Sequence, residues 1–355
     1  MKKMAFCITC MNRLHHLKET IVRNITDNIH SDVEFVLLDY NSTDGLEEWV
    51  KGLGDYIDSG VLNYYKTFDS PCYRRGHSRN MAFRLADAEI VCNLDADNYL
   101  GKDFASYFIE LFETEKNAFY RMNPDSRDTF GRVCVRKEDF IRIRGYDEEM
   151  EGYGFEDNDL FLRLKKSGLD QRIIFRQEFS NAIRHTDLER ISEESMNKNV
   201  TAIYINHINP YTNEILLLYE DKSCKSGEIV DNKHLNNNPA ERDLFEEVVG
   251  DNFAITLTDG WHSGNWEEDN NTLKIKLQDK EYQYVINDNV ITDSKKRFYR
   301  FTDEKNKTVL LKMFSEITNR KKLNENINSN EINPDGFGKG VVYKNFNYNE
   351  PVVLS

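Results

Sequence analysis

Asn93-Leu94-Asp95-Ala96-Asp97-Asn98 sets two carboxylates at i and i+2, directly after the apolar run Ile90-Val91-Cys92. The run reads as a strand, so both acids leave a sheet edge together. At that spacing they can converge on one divalent cation, or divide between a cation and a sugar hydroxyl. Hard oxygen donors suit Mg²⁺ or Mn²⁺. A D-x-D alone is weak, because most acidic turns are merely solvated. A second acidic cluster, Glu156-Asp157-Asn158-Asp159, follows Gly152-Tyr153-Gly154-Phe155 and opens a helix carrying Leu160, Phe161 and Leu164. Glycines give the preceding loop freedom, and carboxylates are favoured at a helix N-terminus.

The elements that must position these acids alternate. Residues 4–9 and 33–38 read as buried strands, and Leu14, Leu17, Ile21 and Ile25 recur at helical spacing, with Asn12 as the expected N-cap. A third strand fits 61–65, a helix 78–86, and the strand into Asp95 follows. This alternation predicts a parallel α/β sheet with right-handed crossovers. Ligands of such sheets bind at the carboxyl ends of strands. The polar clusters 9–13, 39–45 and 95–98 all fall there. Further on, strands fit 118–121, 132–135 and 173–175, and helices fit 102–115, 137–144 and a stretch through Met196 to Ala202.

Composition changes after about residue 210. The asparagine-rich stretch 231–241 reads as a linker. From Phe253 on, pairs such as Ile255/Leu257, Leu273/Ile275, Tyr282/Tyr284 and Val309/Leu311 alternate, which predicts a small antiparallel β domain. Lys321–Asn330 reads as a flexible loop. The expected division is therefore 1–210 for the α/β domain, 211–245 for a linker or extension, and 246–355 for a β-rich accessory domain. Trp261 and Trp266 could form a sugar-stacking platform or pack a small core, and packing is the commoner use.

The 355 residues exceed what one core usually holds. Net charge is −14, which disfavours a nucleic-acid partner but not a small anion held by local cations. The six cysteines are scattered. Cys7-x-x-Cys10 has no second pair at zinc spacing, and Cys7 sits in an apolar run, so buried reduced thiols are expected. No stretch approaches the ~20 apolar residues of a membrane span, and the start lacks a signal-peptide core. A cytoplasmic protein is expected, with room for peripheral association at the inner face of a membrane.

Taken together, these positions resemble the inverting GT-A glycosyltransferases, in the family-2-like group that shades into the β-1,4-galactosyltransferase type. The resemblance spans roughly residues 4–205. It rests on Thr9-Cys10-Met11-Asn12-Arg13, Asp39-Tyr40-Asn41-Ser42-Thr43-Asp44-Gly45, Arg79-Asn80, Leu94-Asp95-Ala96-Asp97, Gly145-Tyr146-Asp147 and Gly154-Phe155-Glu156-Asp157-Asn158-Asp159-Leu160, in the family's order. It implies a Rossmann-like nucleotide-sugar-binding domain with a mixed sheet.

The resemblance also implies roles. Asp97 would ligate Mn²⁺ or Mg²⁺, with Asp95 on the ribose or the metal, and His185 would complete the metal site. Asp157 would be the base that takes the acceptor hydroxyl's proton, with Glu156 holding acceptor hydroxyls and Asp159 serving the helix start. Thr9, Arg13, Asp39, Asn41 and Ser42 would hold the nucleoside, and Arg79 would face the diphosphate. His77 is a second candidate for phosphate, and Tyr153 and Phe155 for stacking on a sugar. Many family members carry an acid where this chain has Tyr40. The implied activity moves a hexose (Gal, GalNAc, GlcNAc or Glc) from a UDP-sugar to a glycan or glycolipid acceptor, in surface polysaccharide synthesis. The alternatives are a non-catalytic sugar-binding or scaffold protein on the same fold, and an enzyme with an appended carbohydrate-binding module.

Overall fold

The structure is a computed structural model and describes residues 1–29, 32–210, 212–231, 246–249, 254–257, 261–329 and 331–355. The chain divides into two compact units, Met1–Glu194 with Asn319–Ser355, and Ser195–Thr318. This differs from the division expected from composition. The expected linker 211–245 contains two strands, the stretch 232–241 lies outside the described residues, and the last 37 residues rejoin the first unit.

Strands are numbered β1–β21 along the chain. In the first unit β1 (Lys2–Cys10), β2 (Val33–Tyr40), β3 (Leu62–Thr67) and β4 (Ala88–Asn93) pair in parallel around β1. β6 (Ala118–Met122), β7 (Val133–Arg136) and β8 (Asp170–Ile174) extend one side, with β7 antiparallel to β4. On the other side β20 (Gly340–Lys344) and β21 (Pro351–Leu354) add antiparallel strands beyond β3. The resulting order, β21-β20-β3-β2-β1-β4-β7-β6-β8, reverses direction of growth at β1. The crevice beyond β1 and β4 is therefore the predicted place for a ligand.

Both faces of the sheet are covered, which is why residues 4–8 of β1 and 35–38 of β2 are apolar without interruption. Phe6 and Ile8 on one face pack with Leu17 and Ile21 of α1 (Leu14–Asn28) and with Phe104 and Phe108 of α5 (Phe104–Thr114). Ala5 and Cys7 on the other pack with Met81 and Phe83 of α4 (Arg75–Leu85) and with Phe161 and Leu164 of α7 (Glu156–Lys166). The period of two puts Cys7 and Cys10 in different cores, so they cannot pair. All six cysteines are buried. Short helices α2 (Leu46–Lys51), α3 (Gly54–Asp58) and α6 (Lys137–Arg142) complete the layers, and α8 (Asp187–Ile191) follows the last strand of the unit's main run.

α9 (Ser195–Lys198) is one short turn, and the helix expected through Ala202 is strand instead, because Val200, Ala202 and Tyr204 alternate inward. The second unit is antiparallel. β10 (Val200–Asn209), β11 (Thr212–Tyr219), β12 (Ser223–Asp231), β15 (His262–Asp269), β16 (Thr272–Leu277), β17 (Lys280–Asn287), β18 (Val290–Thr292) and β19 (Arg297–Arg300) pair in sequence. β19 returns to β10, so eight strands close into a barrel, with the hairpin β13–β14 (Glu246–Val249, Ala254–Leu257) attached to β12. Trp266, Leu273, Leu218 and Ile291 fill one part of the interior. Trp261 instead packs on Phe314, so neither tryptophan forms a free platform. Val309 and Leu311 are not in a strand, and Lys321–Asn328 is not a loop. Both belong to helix α10 (Glu304–Asn328), which the division into units cuts at Thr318. Among the described residues no helix is long and apolar enough to cross a membrane.

Candidate active site

β4 delivers the D-x-D turn to the crevice. Its end is fixed to β1 by the Leu94 N–H donating to the Cys7 carbonyl (3.0 Å), and the Asn98 N–H closes the turn on the Asp95 carbonyl (3.0 Å). A two-residue ladder, β5 (Asn98–Tyr99) with β9 (Asn181–Ala182), then draws a distant segment alongside, and the Ile183 N–H donates to the Asp97 carbonyl (2.8 Å). That ladder carries His185 to Asp97, with Nε2 2.7 Å from Oδ2. The other Asp97 oxygen accepts from Asn98 Nδ2 at 2.7 Å. The two side chains are 16% and 8% exposed. A carboxylate oxygen and an imidazole nitrogen held this close form a donor pair that fits Mn²⁺ better than Mg²⁺.

Arg79, on α4, joins the two acidic motifs. Its guanidinium is 2% exposed and donates to Asp157 Oδ1 (2.9 Å) and Asp95 Oδ1 (3.2 Å), with Glu156 Oε1 at 3.4 Å. The ring of Tyr146 lies 5.3 Å from it. Burial, with Glu156 and Asp95 nearby, outweighs Arg79 and pushes the Asp157 carboxyl up to about 7. Burial also opposes ionisation of Asp95, but there Arg79 and Arg75 win and hold it below the ordinary range. Two acids on one guanidinium thus separate into one always charged and one that exchanges a proton near neutrality.

Local backbone sets this up. Phe155 stands at the N-cap of α7 with φ +67, a conformation uncommon for a bulky residue, and turns the chain so that Glu156 and Asp157 open the helix inside the site. Gly131 packs on Asp157: a Cβ there would lie 2.5 Å from Oδ2. Asn93 holds Asp95 Oδ1 (3.1 Å) and reaches the Gly131 carbonyl (3.4 Å).

Thr9, Arg13, Asp95, Asp97 and His185 line one cleft, together with Arg75 and Arg190. Glu156 and Asp157 meet that group through Arg79. The rest of the predicted set is placed differently. Arg79 faces acids, not open cleft. Asp39 is fully buried: Oδ1 accepts from the Ser42 N–H (2.7 Å), and Oδ2 from the Tyr64 hydroxyl (2.7 Å) with Lys66 Nζ at 3.4 Å. Ser42 donates to the Cys10 carbonyl (3.3 Å) and accepts from the Asn12 N–H (3.1 Å), and Asn41 donates to the Ser70 carbonyl (2.8 Å). Ser42 thus locks the β2 loop to β1, while Asn41 and Asp39 tie it to β3 and the segment after it. Asn12 does not cap α1: its side chain accepts from the Thr43 N–H (2.7 Å), and Asp44 accepts from the Leu14 N–H (2.8 Å) instead. His77 is held between the Tyr40 hydroxyl (2.7 Å) and the Lys339 carbonyl (2.9 Å), which removes it from phosphate duty. Tyr153 has Arg75 (5.3 Å) and Arg190 (5.5 Å) over its ring, so it is not free to stack on a sugar. Asp159 pairs with Arg163 at 2.6 Å.

Arg75 and Arg190 are the functional candidates that sequence reasoning missed. Arg75 pairs with Glu194 (2.5 Å) and lies 3.4 Å from Glu156; Arg190 donates to Asp128 (3.1 Å) and to the Tyr153 hydroxyl (3.1 Å). Their Nε–H groups are buried, and each faces a carboxylate: Arg75 Nε lies 3.4 Å from Glu156 and Arg190 Nε 3.8 Å from Asp187. A signal was present: Arg74, Arg75 and Arg79 cluster in an acidic chain, and 75 and 79 share a helix face.

A model of the family described as Glycosyl transferase family 2 matches residues 5–184. Among solved structures the chain is similar to S. aureus TarS 1–349 (15% identity, 53% of this chain and 61% of that chain, TM-score 0.43). It is similar also to the mannosyltransferase PcManGT from Pyrobaculum calidifontis in complex with GDP-Man and Mn²⁺ (17%, 53% and 59%, TM-score 0.43). A third is the Drosophila β1,4-galactosyltransferase 7 mutant with manganese, UDP-Gal and xylobiose (14%, 54% and 74%, TM-score 0.38). The alignments span less than two thirds of the first two structures. Because the family model covers just over half of its residues, this chain belongs to glycosyl transferase family 2, and its α/β unit is the family's GT-A fold.

Proposed function

We propose that the protein is a metal-dependent, inverting glycosyltransferase that moves a hexose from a UDP-sugar to a hydroxyl of a glycan acceptor. The observation that carries this reading is the convergence of four stretches: Asp97 with His185 at 2.7 Å, and Asp95 with Asp157 on the single guanidinium of Arg79. Asp97 and His185 would hold a divalent cation, which would offset the charge that gathers on the departing diphosphate.

The chain's own groups supply the rest. Asp157, with its carboxyl near neutrality, takes the proton of the acceptor hydroxyl. The alcohol oxygen bonds to the anomeric carbon as the bond to the diphosphate oxygen breaks, and that electron pair leaves with UDP. Arg79 keeps Asp157 in place and Asp95 ionised. Arg75 and Arg190 are cations on the cleft wall and stabilise the diphosphate. Thr9 and Arg13 border the nucleoside end, while Asp39, Asn41 and Ser42 act through the shape of the loop they lock.

The test is UDP release from a panel of UDP-hexoses with mixed glycan acceptors, with and without Mn²⁺. Release from at least one donor that requires both metal and acceptor supports the reading. Intact donors throughout would favour a non-catalytic sugar-binding protein.

A further inference from the structure

The eight-stranded barrel of the second unit is not filled along its whole length. One end is closed by Trp266, Leu218, Leu273 and Ile291. The other holds a cavity of about 440 Å³. Barrels of eight strands are just wide enough to fill themselves or to hold one small ligand, and barrel mouths are a common place for such sites. The strand alternation decides what faces this space. Tyr282 and Tyr284 point in from β17, 10° from coplanar with centroids 6.5 Å apart, and Phe298 joins them from β19. Around the aromatic floor stand Glu214, Glu228 and His262. Glu214 is anchored by Lys296 (2.7 Å) and Asn206 (3.3 Å), and His262 by Gln278 (3.0 Å).

We infer that this cavity is a carbohydrate-binding site for one or two sugar residues, built on the aromatic wall of Tyr282, Tyr284 and Phe298 and the polar rim above it, where Lys296 Nζ, 5.9 Å from the Tyr282 centroid, is a further donor. A ring of hydrogen-bonding side chains over flat aromatic faces matches a polyhydroxylated ring with C–H faces. Leu216, Ile275 and Leu277 also line the cavity, so an acyl chain is the competing occupant, disfavoured by the polar side chains of Glu214, Glu228, His262 and Gln278. The site lies wholly within Ser195–Thr318 and does not depend on the activity proposed above. It also moves any sugar contact of this unit away from Trp261 and Trp266, which pack the barrel's outside and inside.

The experiment is saturation-transfer NMR on the full chain with cellotetraose, chitotetraose and trigalacturonate, and with laurate as the apolar probe. At least one sugar should receive saturation from the wild type and equally from Asp157→Asn. Tyr282→Ala should weaken that sugar by about fivefold or more. Glu228→Gln, on an exposed side chain that folding does not need, should weaken it too and decides the matter if Tyr282→Ala unfolds. No transfer to any of the three sugars, binding of laurate alone, or sugar binding that Asp157→Asn abolishes and the barrel variants leave intact would each overturn the inference.

Discussion

Two parallel strands on either side of β1 end in acids that meet opposite fates. β2 ends at Asp39, whose carboxylate is fully buried and occupied by the Ser42 N–H, Tyr64 and Lys66. β4 runs into Asp95 and Asp97, which border the cleft and meet Arg79 and His185. The position at the carboxyl end of a parallel strand is the same, so position does not decide the role. What decides it is the supply of internal donors. The Asp39 loop folds back on β1 through Ser42, Asn12 and Asp44 and consumes its own acid. Asp95 and Asp97 each keep one local donor, Asn93 and Asn98, and are not closed off by a second strand as Asp39 is by Tyr64 and Lys66; their other partners come from segments up to 88 residues away.

Variants can break or sharpen that contrast. The largest effect belongs to Asp157→Asn, which should lower kcat by about 100- to 10,000-fold with the fold intact, as single-turnover UDP release would show. Asp39→Asn should act on stability instead. It leaves Lys66 with Glu47 alone and should cost about 3 kcal/mol in denaturant unfolding, while kcat of the folded fraction stays near normal. Gly131→Ala forces a methyl to within 2.5 Å of the Asp157 oxygen unless something shifts, so kcat should fall by about tenfold or more. The pH profile follows the sign of the Asp157 shift. The base works only when deprotonated, so kcat/KM should fall about tenfold per pH unit below a midpoint of about 7 and level off above it. A midpoint near 4 would mean that burial does not raise the carboxyl of the base. The smallest effect is that of Tyr40→Phe, which removes the hydroxyl's bonds to His77 and Ser70 and should cost about 1 kcal/mol of stability.

Much of the α/β unit is legible in the chain. The apolar runs of β1, β2 and β4 mark the strands, because each signal is local; of the polar clusters that follow them, 9–13 and 95–98 border the cleft, while 39–45 is used up in its own loop. His185 is reachable only through its motif company, since the β5–β9 ladder that delivers it is two residues long. The return of residues 319–355 is not legible at all. Asn326 bridges Asp147 (2.7 Å) and Asp159 (2.9 Å), and Tyr343 pairs with Lys66, yet each contact joins positions more than 160 residues apart and leaves no periodic trace. Likewise Tyr282/Tyr284 alternation announces a strand, but barrel closure rests on the Tyr204–Arg300 and Ile205–Tyr299 pairs between remote strands. Arg75 was obscured for another reason: a basic residue on an amphipathic helix is normally a solvated one, and only the buried acids around it change that.

Calorimetric titration of UDP into the wild type, Asp97→Ala and Asp39→Asn, with and without Mn²⁺, separates the two acids most directly. Mn²⁺ should strengthen UDP binding in the wild type and in folded Asp39→Asn, and should have no effect in Asp97→Ala. Mn²⁺-dependent binding that survives Asp97→Ala but disappears in a folded Asp39→Asn would contradict the assignment.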